Sequence, residues 1–175
     1  MYQQFQDAFA FANDRHRLQR LPGSELPYIS HIARVCFELM LLPDLGSYDS
    51  EFVLIVAALH DTLEDTDATE GQILDLFGAR VLSAVKALSK NDELPKDVQI
   101  EDSLNRIVLE PVEVHMVKLA DRISNLDRPP VTWSRDKIFK YRESSKMIYE
   151  RLRNAHEGLS SKLLLKIDNY QQFVR

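Results

Sequence analysis

Apolar residues recur along this chain mostly at intervals of three and four, the repeat of one helix face, and no convincing pair of alternating strands is present. The pattern predicts an all-α fold. A first helix is expected from about residue 2 to 20, with Phe5, Ala8, Phe9 and Ala12 on one face, broken by LPGSELP (21–27). A second runs from about Tyr28 to Leu42 and stops at Pro43. Ser50 or Asp49 can cap a third, FVLIVAALHDTLEDT, which is apolar on every side from Phe52 to Leu59 and is therefore central. Asp67 and Glu70 form a candidate capping box for a short fourth helix ending near Gly78. Further helices are expected over about 79–89, 98–109, 111–126, 134–155 and 159–173, with Pro111 in a first turn. No repeat or long linker divides the chain, so residues 1–175 are read as one domain.

Polar residues interrupt this pattern where burial predicts more leucines. The third helix ends in His60, Asp61, Glu64 and Asp65, and buried carboxylates are costly unless paired or bound to a metal. In a continuous helix His60 and Glu64 share a face, as do Asp61 and Asp65 one step around. The alternative is an exposed helix end, although acidic groups there oppose the macrodipole. In VHMVKLADRISNL (114–126), Asp121 and Asn125 share a face; the alternative pairs Asp121 with Lys118 at the surface. His31, near the start of the second helix, is one of five histidines and spacing alone does not select it. His115 is turned away from Asp121 and is discounted as a co-ligand.

The net charge of -5 argues against a nucleic-acid partner, which needs a concentrated basic surface. A small phosphorylated substrate remains compatible, because a metal and a few local cations can reverse the potential inside one cleft. Lys118, Arg122, Arg17 and Arg20 are the candidate cations. No apolar run is long enough for a membrane span, no signal peptide is evident, and the single cysteine, Cys36, cannot form an internal disulfide. These features lead us to expect a cytoplasmic protein with no membrane partner.

The pattern H…HD…D with ED just after HD resembles the HD superfamily of metal phosphohydrolases. PYISHIARV (27–35), AALHDTLEDTDAT (57–69), FGARV (77–81) and VKLADRISNL (117–126) are more narrowly similar to the hydrolase domain of RelA/SpoT proteins and their small stand-alone relatives, over about residues 19–126. Those enzymes remove the 3′-pyrophosphate from (p)ppGpp. The resemblance implies a single HD-domain helical bundle. It makes His31, His60, Asp61 and Asp121 metal ligands, Glu64 and Asp65 the acidic pair handling the water, and Asn125 a ribose contact. It also implies a divalent cofactor, most often Mn²⁺, with Fe²⁺, Co²⁺ or Zn²⁺ compatible with two imidazoles and two carboxylates. The family's separate synthetase domain has no counterpart, so no pyrophosphate transfer is expected.

Two departures stand out. The family's Arg-Lys pair that packs on the base corresponds here to Leu21 and Pro22, or to Arg20 and Leu21, and the usual proline after the first histidine is Ile32. The expected consequence is a high KM and poor discrimination between guanine and adenine. The other readings are hydrolysis of a different nucleotide or phosphorylated metabolite, and a non-catalytic nucleotide-binding regulatory domain.

Overall fold

The computed structural model describes residues 2–174; Met1 and Arg175, the ends of the expected unit, lie outside them. Ten α-helices follow one another: α1 (Gln3–Arg15), α2 (Ile29–Met40), α3 (Ser50–Leu59), α4 (Thr62–Asp65), α5 (Glu70–Phe77), α6 (Ala79–Leu88), α7 (Gln99–Ile107), α8 (Val112–Asn125), α9 (Arg135–Leu152) and α10 (Glu157–Tyr170). No strand forms among the described residues, as the periodicity predicts; the one bridge joins Arg20 and Pro27.

Every residue from Phe52 to Leu59 is buried, so α3 is the central rod. At ~1.5–3 kcal/mol for each large apolar side chain removed from water, this run fixes the position of α3. It packs against α1, α2, α6 and α8, and α8 packs in turn against α2, α9 and α10. The hydrophobic core runs from Ala8 on α1 to Tyr170 on α10. The first turn of α2, the C-terminal end of α3 and the middle of α8 therefore meet.

Three local expectations are corrected. α1 ends at Arg15 instead of continuing to about residue 20. Leu18 is exposed, whereas His16 is buried and the Gln19 N–H bonds its carbonyl at 2.9 Å. The third helix is not continuous through HDTLEDT. Side chains take the carbonyls of its last turn: His60 Nδ1 donates to Ala57 O at 2.8 Å, and Thr62 Oγ1 donates to Leu59 O at 2.7 Å. Such local bonds compete with the helical ladder, and the helix resumes as α4 when Asp65 N–H reaches Asp61 O. The capping box is formed by Thr69 and Gln72, not by Asp67 and Glu70. Asp49 caps α3 as expected, accepting from Phe52 N–H.

The loop after α1 is fastened at both ends. The Arg20–Pro27 bridge closes its neck, and Gly23 at its tip has φ +72°. A Cβ there would lie 3.1 Å from Pro130 Cβ, so glycine meets both the backbone and the space requirement.

Candidate metal centre

His31 on α2, His60 and Asp61 at the α3–α4 break, and Asp121 on α8 converge on one point. His31 Nε2 lies 3.3 Å from His60 Nε2, 3.4 Å from Asp61 Oδ2 and 3.4 Å from Asp121 Oδ1. His60 Nε2 lies 3.0 Å from Asp61 Oδ2 and 3.8 Å from Asp121 Oδ1. His31, His60 and Asp121 each offer a donor atom within 4.8 Å of the others, and Asp61 flanks both rings. Donor atoms about 2.1 Å from one divalent ion lie ~3.0–3.4 Å from each other, so the spacing fits such an ion.

The outer atoms of the rings are anchored. A carbonyl can only accept, so the Ala57 O contact puts the His60 proton on Nδ1 and leaves a lone pair on Nε2. His31 Nδ1 lies 3.1 Å from Ser124 Oγ, and donation there gives the same tautomer. This is the arrangement of a ligating histidine, whose far nitrogen is held by a second group. Both Asp121 oxygens are also engaged: Asn125 Nδ2 donates to Oδ1 at 2.5 Å and Lys118 Nζ to Oδ2 at 3.1 Å. Tyr28 Oη donates to Asp61 Oδ2 at 2.7 Å.

Charge is concentrated at this point. Burial acts to lower the His31 pKa, but the carboxylates of Asp121 and Asp61 overcome it and push the value up to about 9. The same opposition raises His60, with Asp61 the larger contributor. Asp61 is held well below the usual carboxylate range: burial acts against this, and the His60 and His31 imidazoles outweigh it. Asp121 is held low against the same penalty, chiefly by Lys118. A cation can replace the protons that the imidazoles otherwise carry among these carboxylates. No thiol takes part; Cys36 is buried in the core.

The remaining predicted residues divide. Asp65 lies beside the cluster, where desolvation and the carboxylates of Asp61 and Glu64 raise its pKa. The two Glu64 oxygens bond the Lys90 backbone N–H (2.9 Å) and the Lys90 ammonium, a partner the sequence did not suggest. Lys118 forms a buried pair with Asp121, not a surface pair, and its ammonium is already engaged. Arg122 is a correction: its guanidinium lies over the Tyr141 ring (4.3 Å) and donates to Ser144 and Ser145, so it serves the α8–α9 interface. Asn125 is exposed next to Asp121. Arg20 is exposed and bonds Gln19 O, its chain neighbour, at 3.4 Å. His115 is outside the cluster.

Sequence reasoning missed the residues behind the acids: His16, Gln19, Tyr28, Ser124 and Lys90. The one usable signal was His16 and Gln19 at i, i+3 beside a helix end.

The HD domain family matches residues 8–158. The chain belongs to the HD-domain family. It is a metal-dependent phosphohydrolase, and the non-catalytic reading is set aside. Among HD-domain proteins it is 31% identical over 158 residues to "Guanosine-3′,5′-bis(diphosphate) 3′-pyrophosphohydrolase MESH1" of Danio rerio, covering 87% of this chain and 86% of that one. The Mus musculus protein of the same name is 32% identical over 168 residues, covering 91% and 90%. The structure of a metazoan ortholog of SpoT, described as hydrolysing ppGpp, superposes with a TM-score of 0.84 at 27% identity, covering 95% of each chain. The HD domain thus accounts for the helical bundle and for a divalent metal.

Proposed function

We propose that the chain hydrolyses guanosine-3′,5′-bis(diphosphate) at its 3′ position, with His31, His60, Asp61 and Asp121 holding the divalent ion and Mn²⁺ as the native metal. The observation that carries this reading is the convergence of two anchored imidazoles and two carboxylates, in a chain about one-third identical to enzymes named for that reaction. We take residues 1–175 to act as one unit. A cytoplasmic setting suits a nucleotide substrate and a reduced Cys36.

Water adds to the phosphorus next to the 3′ oxygen, the bond to that oxygen breaks, and the products are GDP and pyrophosphate. A bound divalent ion supplies Lewis acidity and lowers the pKa of a water. Asp65, whose pKa is raised by desolvation and by the Asp61 and Glu64 carboxylates, suits acceptance of the water's proton. Glu64, fixed by Lys90, orients that water or its hydrogen bond to Asp65. Asn125, bonded to Asp121, and the exposed Arg20 are offered to the ribose and to the base.

The departures at Leu21 and Pro22 favour a second reading, in which other nucleotides share the site. With one exposed Arg20 in place of a basic pair, base stacking contributes only ~0.5–1 kcal/mol. The test is pyrophosphate release from the guanosine and adenosine 3′,5′-bis(diphosphates) with Mn²⁺, by the wild type and by Glu64→Gln and Asp65→Asn. The expected result is turnover of both nucleotides at high KM, and a loss of about 10²–10⁴-fold in kcat for each variant with metal retained. No turnover of either nucleotide by the metal-loaded wild type would refute the assignment.

A further inference from the structure

Behind the acidic pair lies a second layer of side chains from the end of α1. His16 is 1% exposed, and its ring stacks on Tyr28 at 4.7 Å and 26°. Its Nδ1 lies 2.6 Å from Gln19 Oε1, while its Nε2, also buried, has no hydrogen-bond partner among the described residues. An amide oxygen only accepts, so the proton sits on Nδ1, and the side-chain bonding of this ring goes to Gln19. The amide of Gln19 is thereby fixed, with its oxygen toward His16 and its NH₂ toward Asp65. Gln19 Nε2 lies 3.4 Å from Asp65 Oδ2. The backbone locks the same group: Gln19 N–H donates to His16 O at 2.9 Å, and Tyr28 N–H donates to Gln19 O at 3.0 Å. Tyr28 itself donates to Asp61.

We propose that His16 and Gln19 are positioning residues for the hydrolytic step: His16 dictates the orientation of the Gln19 amide, and Gln19 holds the Asp65 carboxylate at the water. This rests on the reading that Asp65 takes part in the reaction. Without the imidazole the amide is free to turn its oxygen toward Asp65, and two acceptors then face each other. The same ring supports the Tyr28 hydroxyl that steadies Asp61, so one buried side chain backs both carboxylates.

His16→Phe keeps a ring against Tyr28 but cannot donate; His16→Asn keeps a donor near the place of Nδ1; Gln19→Met keeps the length of the side chain and removes the amide. For the Mn²⁺-loaded enzyme we expect His16→Phe and Gln19→Met each to lower kcat about 10-fold, the loss of one hydrogen bond to a charged group. KM and bound metal should stay within about twofold, a shift too small to count as a lost contact. His16→Asn should recover most of the rate. In the Asp65→Asn background, Gln19→Met should have no further effect, because the two act in one chain. Independently of activity, long-range ¹⁵N spectra of the metal-free protein should show the His16 proton on Nδ1, and that preference should vanish in Gln19→Met. Wild-type kcat in Gln19→Met would overturn the proposal, as would equal impairment of His16→Phe and His16→Asn alongside equal losses of thermal stability. If His16→Phe does not fold, Gln19→Met and the spectra decide. Wild-type kcat in Asp65→Asn would instead refute the reading of Asp65, while the ¹⁵N result would still report on the His16–Gln19 bond.

Discussion

Two buried histidines show how one side chain serves two ends. His60 donates from Nδ1 to the Ala57 carbonyl and turns Nε2, the nitrogen that can give up its proton to a cation, toward His31 and two carboxylates. His156 does the reverse: Nδ1 accepts from Leu159 N–H at the start of α10, and Nε2 donates to Asp44 at 2.9 Å. Burial is similar, but the partner on one nitrogen sets the tautomer and so decides what the other can do. A carbonyl at Nδ1 makes a ligand; a backbone N–H at Nδ1 makes a helix cap. Neither role is visible in the identity of the residue.

The largest effect that can break this contrast is removal of the ligand. His60→Ala should lose bound metal and lower kcat by more than about 100-fold, beyond the range seen when only a supporting group is lost. Wild-type metal content by elemental analysis would show that the converging nitrogen is not a ligand. Ser124→Ala should be next, because it removes the anchor of His31 and leaves the ring: metal affinity should fall about 10–100-fold, measured by competition with a chelating dye. An unchanged affinity would mean that the tautomer of His31 is set by something else.

Protonation sharpens the comparison. In metal-stripped protein the folded-state pKa of His31, about 9, stands above its unfolded value of 6.5. The protonated ring therefore contributes stability fully below about pH 6.5, and that contribution is lost as the pH rises through about 9. Calorimetry of the stripped protein should show Tm falling across this window, whereas metal affinity should rise, because the ligands must shed protons. A Tm that rises over the window in stripped His31-containing protein, relative to His31→Gln, would contradict the carboxylate environment described. The smallest effect is expected at the other histidine. His156→Ala removes a cap worth about 1 kcal/mol, so Tm should drop by a few degrees with kcat and metal content unchanged. Loss of metal in that variant would abolish the contrast.

Helix periodicity placed nearly every helix, because each buries one apolar stripe; α3, buried all round, was legible as the central rod. The errors fall where side chains bond the backbone. The break at His60–Asp61 depends on Thr62 and His60 reaching two carbonyls, and the end of α1 depends on burial of His16, neither of which a repeat of three and four encodes. The four residues that the resemblance singles out, His31, His60, Asp61 and Asp121, lie together in the fold. Orientation was another matter. Arg122 carries the charge expected of a phosphate contact, yet its position on α8 turns it to Ser144, Ser145 and Tyr141. Lys90 lies just past the helix expected over about 79–89, and only the folded chain brings it to Glu64. The spacing of His16 and Gln19 was on view in the sequence, but its target was not, because Asp65 lies on another element.

The converging side chains come from stretches far apart along the chain. His31 and His60 are 29 residues apart, and His31 meets Asp121 across 90. An ion seated among them closes both long loops at once, as a cross-link would, and the entropy of closing such loops grows only slowly with their length. Most of that entropic cost is met by the folded core, so the ion's grip acts mainly against the opening of α2 and α8 away from α3. Loading with metal should thus lengthen the lifetime of the native fold: guanidinium-jump unfolding should be slower for the loaded protein, and added chelator should restore the faster rate.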